Sequence, residues 1–235
     1  MARAGLLADI QAALSPSGLA VRGGFNFAAG DDAPAGPDGH PAKAVLLVGN
    51  AGGAFWPQFE AWRATQPTNL ADPFDTWSRV VLEEVAATCG ARVIMPNDKP
   101  FAPFQQWAMR AEGLKASPLG ILMHPEYGLW HAYRGALLFD EALAAEDLNQ
   151  EPENPIHLCA LCDRKPCLNA CPVGAFGSRF DHVACGSHIG SASGRMCMEG
   201  GCLARNACPH GAWRYPVPMR AFLMRAFRGA ITGGD

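Results

Sequence analysis

CALCDRKPCLNACPVGAF, residues 159–176, and CMEGGCLARNACPHGAW, residues 197–213, are two versions of one pattern near the end of this 235-residue chain. Each version is a short run of cysteines that ends on a cysteine–proline pair, followed after one residue by Gly-Ala and an aromatic residue. Eight of the nine cysteines belong to the pattern and fall into two runs of four: Cys159, Cys162, Cys167 and Cys171, then Cys185, Cys197, Cys202 and Cys208. The repeat predicts two similar sites, each built from four thiolates.

The spacing of these cysteines favours iron–sulfur clusters. A 4Fe–4S cluster needs four thiolates that converge on one small volume, and a cysteine before proline at the end of a cysteine run is typical of bacterial ferredoxins. In two-cluster ferredoxins this last cysteine binds the other cluster, so an exchange is expected here too. The predicted ligands are Cys159, Cys162, Cys167 and Cys208 for one cluster, and Cys185, Cys197, Cys202 and Cys171 for the other. Two clusters predict a ferredoxin-like module that transfers electrons. Several spacings depart from the strict ferredoxin pattern, which leaves individual loop conformations open.

Zinc and disulfides are the alternative uses of these cysteines. Zinc sites often pair two C-x2-C knuckles, and only Cys159 and Cys162 have that spacing. Disulfides belong to oxidising compartments. Residues 1–14 carry charges at Arg3 and Asp9 and lack the long apolar run of a signal peptide, so we expect a cytoplasmic protein with reduced thiols. Cys89 stands apart and is expected to be a small buried residue at a helix end.

The charge distribution and the hydropathy of the chain argue against a nucleic-acid partner and against a membrane span. Residues 1–150 carry ten Lys/Arg against sixteen Asp/Glu, and residues 151–235 carry nine against six. A nucleic-acid surface needs a dense basic face, and since neither part has one, no nucleic-acid partner is expected. The chain has no uncharged apolar run of about 18 residues, so no membrane span is expected. The basic excess near the cysteines would offset the negative charge of thiolate-bound clusters.

Residues 1–150 alternate between helical and strand patterns. Asp72 and Pro73 suit the start of one helix, and Gly90 suits its end. We expect helices over residues 2–14, 55–63, 73–90 and 104–111, and strands over residues 19–22, 44–48, 92–95, 120–123 and 129–139. This alternation predicts an α+β fold with helices packed on a sheet. Residues 142–154 are polar and are expected to link it to the cysteine-rich part.

A glycine-rich loop follows the most apolar predicted strand. Gly49-Asn50-Ala51-Gly52-Gly53 separates that strand from the helix that begins near Phe55. A strand, a glycine loop and a helix can cradle an anionic ligand, so Gly52 and Gly53 are candidate cofactor contacts. The loop fits neither the dinucleotide-binding nor the P-loop fingerprint, and a tight turn without a ligand is the alternative.

ILMHPEYGLWHAYRG, residues 121–135, is the second informative stretch. Together with the cysteine pattern after it, the stretch resembles epoxyqueuosine reductases, in which a similar His-Pro-Glu-Tyr-Gly-x-Trp turn precedes two 4Fe–4S motifs. It is also similar to cobalamin-processing chaperones of the cobalamin C type, whose matching phrase ends in Ala-x-Arg-Gly, as residues 132–135 do here. The resemblance covers residues 44–215. It implies a modified, nitroreductase-like fold that holds cobalamin, with flavin as the alternative cofactor.

The chain departs from both families. Epoxyqueuosine reductases carry a Gly-Arg-Asp-Tyr-His-like stretch with an acidic proton donor and a tRNA-binding repeat region after the clusters. This chain lacks such a stretch, and only 27 residues follow Cys208, which argues against tRNA reduction. The human-type chaperones have no clusters, so the chain differs from them as well.

The resemblance implies four further cofactor contacts: His124, Tyr127, Trp130 and Arg134. Structural alternatives remain open for each of the first three, since a histidine can hydrogen-bond its own turn and aromatic side chains can fill a core. Arg134 lies on an otherwise apolar strand. A buried arginine requires a carboxylate or a ligand group as its partner, which makes a ligand contact more plausible there.

These observations predict three segments. They are a nitroreductase-like domain over residues 1–150, a two-cluster ferredoxin-like module over 151–216, and a C-terminal docking helix and tail over 217–235. The predicted function is an oxidoreductase that passes electrons from a redox partner protein through two 4Fe–4S clusters to a cofactor or substrate in the N-terminal domain. The favoured acceptor is a corrinoid such as cobalamin, and the expected partners include cobalamin or a corrinoid protein. The alternative is a ferredoxin-type electron carrier whose N-terminal domain docks a partner and binds no organic cofactor.

Overall fold

The computed structural model describes residues 5–148 and 156–232, which divide into two compact units. The first unit contains residues 5–114 and 131–148, and the second contains residues 115–130 and 156–232. The domain boundaries expected at residues 150 and 216 stay predictions; the compact units group residues 115–130 with the cysteine-rich segment instead. The linker expected over residues 142–154 lies partly outside the described residues.

The described residues form six strands and nine α-helices. The strands are β1 (Ala20–Asn26), β2 (Ala44–Ala51), β3 (Arg92–Ile94), β4 (Lys115–Ala116), β5 (Leu122–Met123) and β6 (His131–Phe139). The helices are α1 (Leu6–Leu14), α2 (Trp56–Ala64), α3 (Pro73–Cys89), α4 (Phe104–Glu112), α5 (Pro166–Asn169), α6 (His182–Gly190), α7 (Arg195–Gly200), α8 (Leu203–Asn206) and α9 (Val217–Thr232).

An antiparallel sheet is the centre of the first unit. Its strand order is β1-β2-β6-β3, and α1, α3 and α4 pack against it. Residues 44–48 of β2 are fully buried, because this strand has neighbours on both edges and apolar side chains throughout. Helices packed on an antiparallel sheet confirm the predicted α+β class.

β2 runs past its expected end into the glycine loop. Gly49 and Asn50 pair with Tyr133 and Ala132 of β6 across a local shift in register. A Cβ atom at Gly49 would lie 2.0 Å from the carbonyl oxygen of Ala132, so only glycine allows the two strands to approach this closely. The pairing carries Asn50 into the interior, where it is fully buried.

Three sequence-based details differ from the structure in the first unit and the segment after it. Asp72 occupies the N-cap position of α3 with a φ of 42°, but its side chain makes no capping hydrogen bond. The strand expected over residues 129–139 begins at His131, and the one expected over residues 120–123 is reduced to β5, which pairs only with the two residues of β4. Gly90 ends α3 in the left-handed conformation, as expected.

Short helices and loops make up most of the second unit. α9 packs against α6 and α7, and its Met219 side chain is fully buried. Phe222, Leu223 and Phe227 are half-buried on the same helix. Within residues 5–148 and 156–232, none of the helices combines the length and apolar character that crossing a membrane requires.

Candidate metal centres and a buried polar network

One set of four cysteines surrounds a cavity in the second unit. The cavity walls include Cys159, Cys162, Cys167 and Cys208, which are the four predicted ligands of one cluster. Cys159 lies in a 3-10 turn over Leu158–Leu161 and Cys167 lies in α5, while Cys208 comes after α8 from the other cysteine run. The surrounding walls are mostly apolar, with Met123 and Leu129 among them. The structure therefore brings Cys208 to the cysteines of the first run.

The pKa of the Cys159 thiol reflects the same grouping of four cysteines. Burial, followed by the charges of Cys208, Cys167 and Cys162, raises the pKa of the Cys159 thiol to about 11. All three neighbours belong to the set predicted for one cluster. Such crowding of thiols is unfavourable unless a positively charged metal centre holds the thiolates together.

The second set is grouped in the same way around Cys185. Burial raises the pKa of this thiol to about 11, and the charges of Cys202, Cys171 and Cys197 act in the same direction. Cys171 comes from the first run of cysteines and Cys185, Cys197 and Cys202 from the second. Each run thus contributes one cysteine, the one before proline, to the set formed by the other run.

Backbone amides point at several of these sulfurs. The N–H of Ala175 donates to Sγ of Cys171 at 3.3 Å. Burial raises the pKa of the Cys202 thiol, while hydrogen bonds from the N–H groups of Arg205 and Ala204 oppose that rise. Since N–H groups stabilise negative charge on sulfur, the loops are arranged for thiolates.

The cysteines are not arranged around a single metal ion. Within the described residues, no three His, Cys, Asp or Glu side chains are close enough together to bind one ion. All nine cysteines, including the half-buried Cys89 at the end of α3, are free thiols. A 4Fe–4S cluster binds its four thiolates through four different irons, so its ligands are not required to meet around one ion.

His124 is built into the turn between β5 and β6. Its Nδ1 atom accepts hydrogen bonds from the backbone N–H groups of Glu126 and Tyr127, each at 3.1 Å. An accepting Nδ1 places any proton of the neutral ring on Nε2. The ring stacks on Tyr127 with a centroid distance of 4.1 Å. This geometry matches the structural alternative for His124.

Tyr127 and Trp130 pack against the cysteine-rich segment within the second unit. The ring of Tyr127 meets the edge of Trp213 at 5.1 Å, and Trp130, which is 1% exposed, meets Tyr215 at 5.4 Å. Trp130 is also covered by the guanidinium of Arg205 at 4.7 Å. These contacts make Trp130 part of a packed core, whereas Tyr127 is half-buried against an exposed Trp213.

Arg134 and Gly52 meet through Asn50 in the first unit. The Nε atom of Arg134 donates to Oδ1 of Asn50 at 3.1 Å, and Nδ2 of Asn50 donates to the carbonyl oxygen of Gly52 at 3.0 Å. The Arg134 guanidinium lies 4.1 Å from the centre of the Phe74 ring. Two of the predicted cofactor contacts, Gly52 and Arg134, therefore lie close together because both hydrogen-bond to the Asn50 side chain. Gly53 instead accepts a hydrogen bond from the N–H of Trp56 at the start of α2, as a tight turn would.

Sequence reasoning missed a buried ion pair beside this site. Arg22 donates to both carboxylate oxygens of Glu112, at 3.1 and 3.3 Å, and the two side chains are 4% and 2% exposed. Arg22 also donates to the carbonyl oxygen of Asn50 at 3.1 Å and contacts Nδ1 of His131 at 3.4 Å. The Tyr133 hydroxyl donates to Glu112, and burial followed by the Glu112 charge raises the pKa of Tyr133. The sequence signal for this pair was Arg22 itself, a charged residue that follows apolar residues 19–21 in a predicted strand and would need a partner if buried.

Comparison with known proteins shows a likeness of fold. No family model and no curated protein matches the sequence. Among solved structures, the C. elegans B12-trafficking protein CblC, a human MMACHC homologue, matches with a TM-score of 0.57 and 13% identity, over 96% of this chain and 95% of that one. The chain therefore has the α+β fold of that protein.

Two epoxyqueuosine reductases match more weakly. The enzyme from Streptococcus thermophilus has a TM-score of 0.49 at 13% identity, over 88% of this chain and 66% of the reductase. The enzyme from Bacillus subtilis has a TM-score of 0.46 at 16% identity, over 73% of this chain and 49% of the reductase. The chain thus spans between about half and two thirds of the length of these reductases.

Proposed function

We propose that this protein is an iron–sulfur redox protein whose second unit holds two 4Fe–4S clusters and delivers electrons to a corrinoid held by the first unit. The observation that supports the proposal is that Cys208 lines one cavity with Cys159, Cys162 and Cys167, while Cys171 is a charge neighbour of Cys185, as expected if the two cysteine runs exchange one ligand each. That exchange is the ligand pattern of two-cluster ferredoxins.

The donor set fits two clusters. The first would be held by Cys159, Cys162, Cys167 and Cys208, and the second by Cys185, Cys197, Cys202 and Cys171. Such clusters supply one-electron transfer at potentials set by hydrogen bonds to sulfur, net charge and exposure. The chain's part is to exclude water with apolar walls and to direct backbone N–H groups at the sulfurs, as Ala175 and Arg205 do.

The proposed acceptor site lies around Arg134, Asn50 and Gly52. The arginine is oriented by Asn50 and by the face of Phe74, which reduces the entropy lost when it binds a ligand oxygen. The solved structure with the same fold is named as a B12-trafficking protein, and this supports a corrinoid as the ligand of a nitroreductase-like first unit. Flavin is the alternative ligand for that fold.

A second candidate function is a ferredoxin-type carrier that binds no organic cofactor. The observation in its favour is that His124, Tyr127 and Trp130, three of the six predicted cofactor contacts, have contacts within the second unit: His124 with its own turn, Tyr127 with Trp213, and Trp130 with Tyr215. In this version the first unit docks the protein that takes up the electrons. Both versions require a redox partner protein as the electron donor.

Anaerobic purification with metal, sulfide and cofactor analysis tests the proposal. Two cubane clusters predict about eight iron and about eight sulfide per chain. Addition of cob(II)alamin to the cluster-loaded protein should change the absorption spectrum of the corrinoid, with flavin titrated in parallel. Zinc without sulfide contradicts the cluster assignment. Intact clusters without binding of either cofactor favour the carrier.

A further inference from the structure

A second cavity lies within the cysteine-rich unit. It has a volume of about 50 Å³ and lies beside α8 and α9. About 10–15 Å³ is enough for one water molecule, so this cavity has room for a small polyatomic ion. Its walls include Trp130, Cys202, Arg205, Asn206, Tyr215 and Arg220.

Three buried hydrogen-bond donors on these walls have no partner among the described residues. They are Nε1 of Trp130, Nε of Arg205 and Nε of Arg220. Each is an N–H group that donates and cannot accept. Since buried donors are nearly always satisfied, three of them around one cavity indicate an acceptor that occupies it.

The other donor atoms of the two arginines fix their side chains in place. Arg205 donates through Nη2 to the carbonyl oxygen of Leu129, and its guanidinium lies 4.8 Å from the centre of the Tyr215 ring. Arg220 donates through Nη1 to the carbonyl oxygen of Gly200 at 2.6 Å and to Oδ1 of Asn206 at 2.9 Å. Both guanidiniums are therefore positioned before any ligand arrives.

Positive charge accumulates here without a carboxylate to balance it. Within the described part of the chain, Arg205, Arg214 and Arg220 form no ion pair. Burial, followed by the charge of Arg214, lowers the pKa of Arg220. Charge that is partly removed from water is unfavourable without a counter-charge, and an anion in the cavity would be attracted to it.

We propose that this cavity binds a small oxyanion, either inorganic phosphate or the terminal phosphate of a larger ligand. Guanidinium and indole N–H groups match the oxygen acceptors of such an anion, and two fixed arginines balance its charge. Water also satisfies the donors, but an anion in addition interacts favourably with the charges of the two arginines. The site lies beside Cys202, so the anion would add negative charge next to a cysteine of the second set.

Isothermal titration calorimetry on the full chain, purified anaerobically and kept at low ionic strength, tests this inference. Inorganic phosphate should bind saturably with one site per chain, and methyl phosphate shows whether the site also accepts a phosphate that belongs to a larger molecule. Arg220→Gln should weaken binding roughly ten- to a hundredfold, because it removes a charge-assisted hydrogen bond. Trp130→Phe removes one neutral donor and should weaken binding by roughly two- to tenfold.

Arg225→Gln is the matched control, because Arg225 is exposed on the same helix and the substitution removes the same charge. Binding in this variant should equal that of the unmodified chain. Absence of saturable phosphate binding to the unmodified chain overturns the proposal. Equal weakening by Arg225→Gln and Arg220→Gln overturns it too, since diffuse attraction would then explain the binding. If Arg220→Gln does not fold, Trp130→Phe decides, because unchanged binding in that variant contradicts the role of the cavity.

Discussion

Cys208 raises the pKa of the Cys159 thiol more than any other cysteine does, ahead of Cys167 and Cys162 from the same run. The last cysteine of one run is thus a close electrostatic neighbour of the first cysteine of the other. This relationship ties the two cysteine runs together, because neither forms a set of four alone.

If the two cysteines before proline each bind the cluster of the other run, replacing one of them should remove the cluster formed mainly by the other run. Cys208→Ala should abolish the cluster assigned to Cys159 and leave the cluster assigned to Cys185 largely intact, and Cys171→Ala should do the reverse. Each variant is the control for the other. Iron and sulfide analysis with electron paramagnetic resonance of the reduced protein distinguishes them. Loss of the Cys185 cluster in Cys208→Ala would show that the ligand sets are not crossed.

Gly128 predicts a steric link between the His124 turn and the second cysteine run. It has a φ of 59°, and a Cβ atom there would lie 2.6 Å from the carbonyl oxygen of His210. Gly128→Ala should therefore reduce the free energy of unfolding by more than the roughly 1–2 kcal/mol that left-handed backbone alone costs. Gly174→Ala is the control, because Gly174 has a φ of 60° and nothing within 4 Å of its added Cβ. Urea unfolding under anaerobic conditions measures the difference, and equal losses in both variants would contradict the contact.

Features that depend on a local sequence pattern could be predicted from the sequence, whereas contacts between residues far apart in the chain could not. The cysteines are recognisable because cluster chemistry restricts their spacing. β2 is recognisable because residues 44–48 form an unbroken apolar run, and the structure buries all five of them. Trp130 was expected in a strand, yet it packs on Tyr215, which comes much later in the chain. No local pattern predicts the pairing of Arg22 with Glu112, because residues so far apart in sequence meet only in the folded chain.

The buried pair of Arg22 and Glu112 predicts a large stability effect. Glu112→Ala leaves the Arg22 guanidinium buried without its carboxylate and should cost about 3–5 kcal/mol. Glu83→Ala removes an exposed partner of Arg79, 59% accessible, and should cost less than about 1 kcal/mol. Chemical denaturation of both variants measures the two costs. A loss below about 1 kcal/mol for Glu112→Ala would mean that the pair contributes little.

The arginines beside Cys202 predict an effect on the potential of the second cluster. Removing a positive charge makes addition of an electron less favourable, so Arg220→Gln should shift the midpoint of this cluster to more negative potential, on the order of tens of millivolts. Arg225→Gln, an exposed change on the same helix, should shift it far less. A redox titration followed by electron paramagnetic resonance gives both values. A shift to more positive potential in Arg220→Gln would contradict the electrostatic role.

Arg134 tests the proposed corrinoid site in the first unit. Its Nε donates to Asn50 and its guanidinium lies over the Phe74 ring, so in the proposed site an oriented side chain would bind an amide or phosphate oxygen of the corrinoid. Arg134→Ala should weaken cob(II)alamin binding roughly ten- to a hundredfold, the effect of one lost charge-assisted hydrogen bond. Asn50→Ala should weaken it less, because the arginine remains and loses only its orientation. Lys43→Ala, which removes an exposed charge from the same unit, is the control and should bind normally. If Arg134→Ala binds cob(II)alamin as tightly as the unmodified chain does while both clusters stay intact, the corrinoid site lies elsewhere.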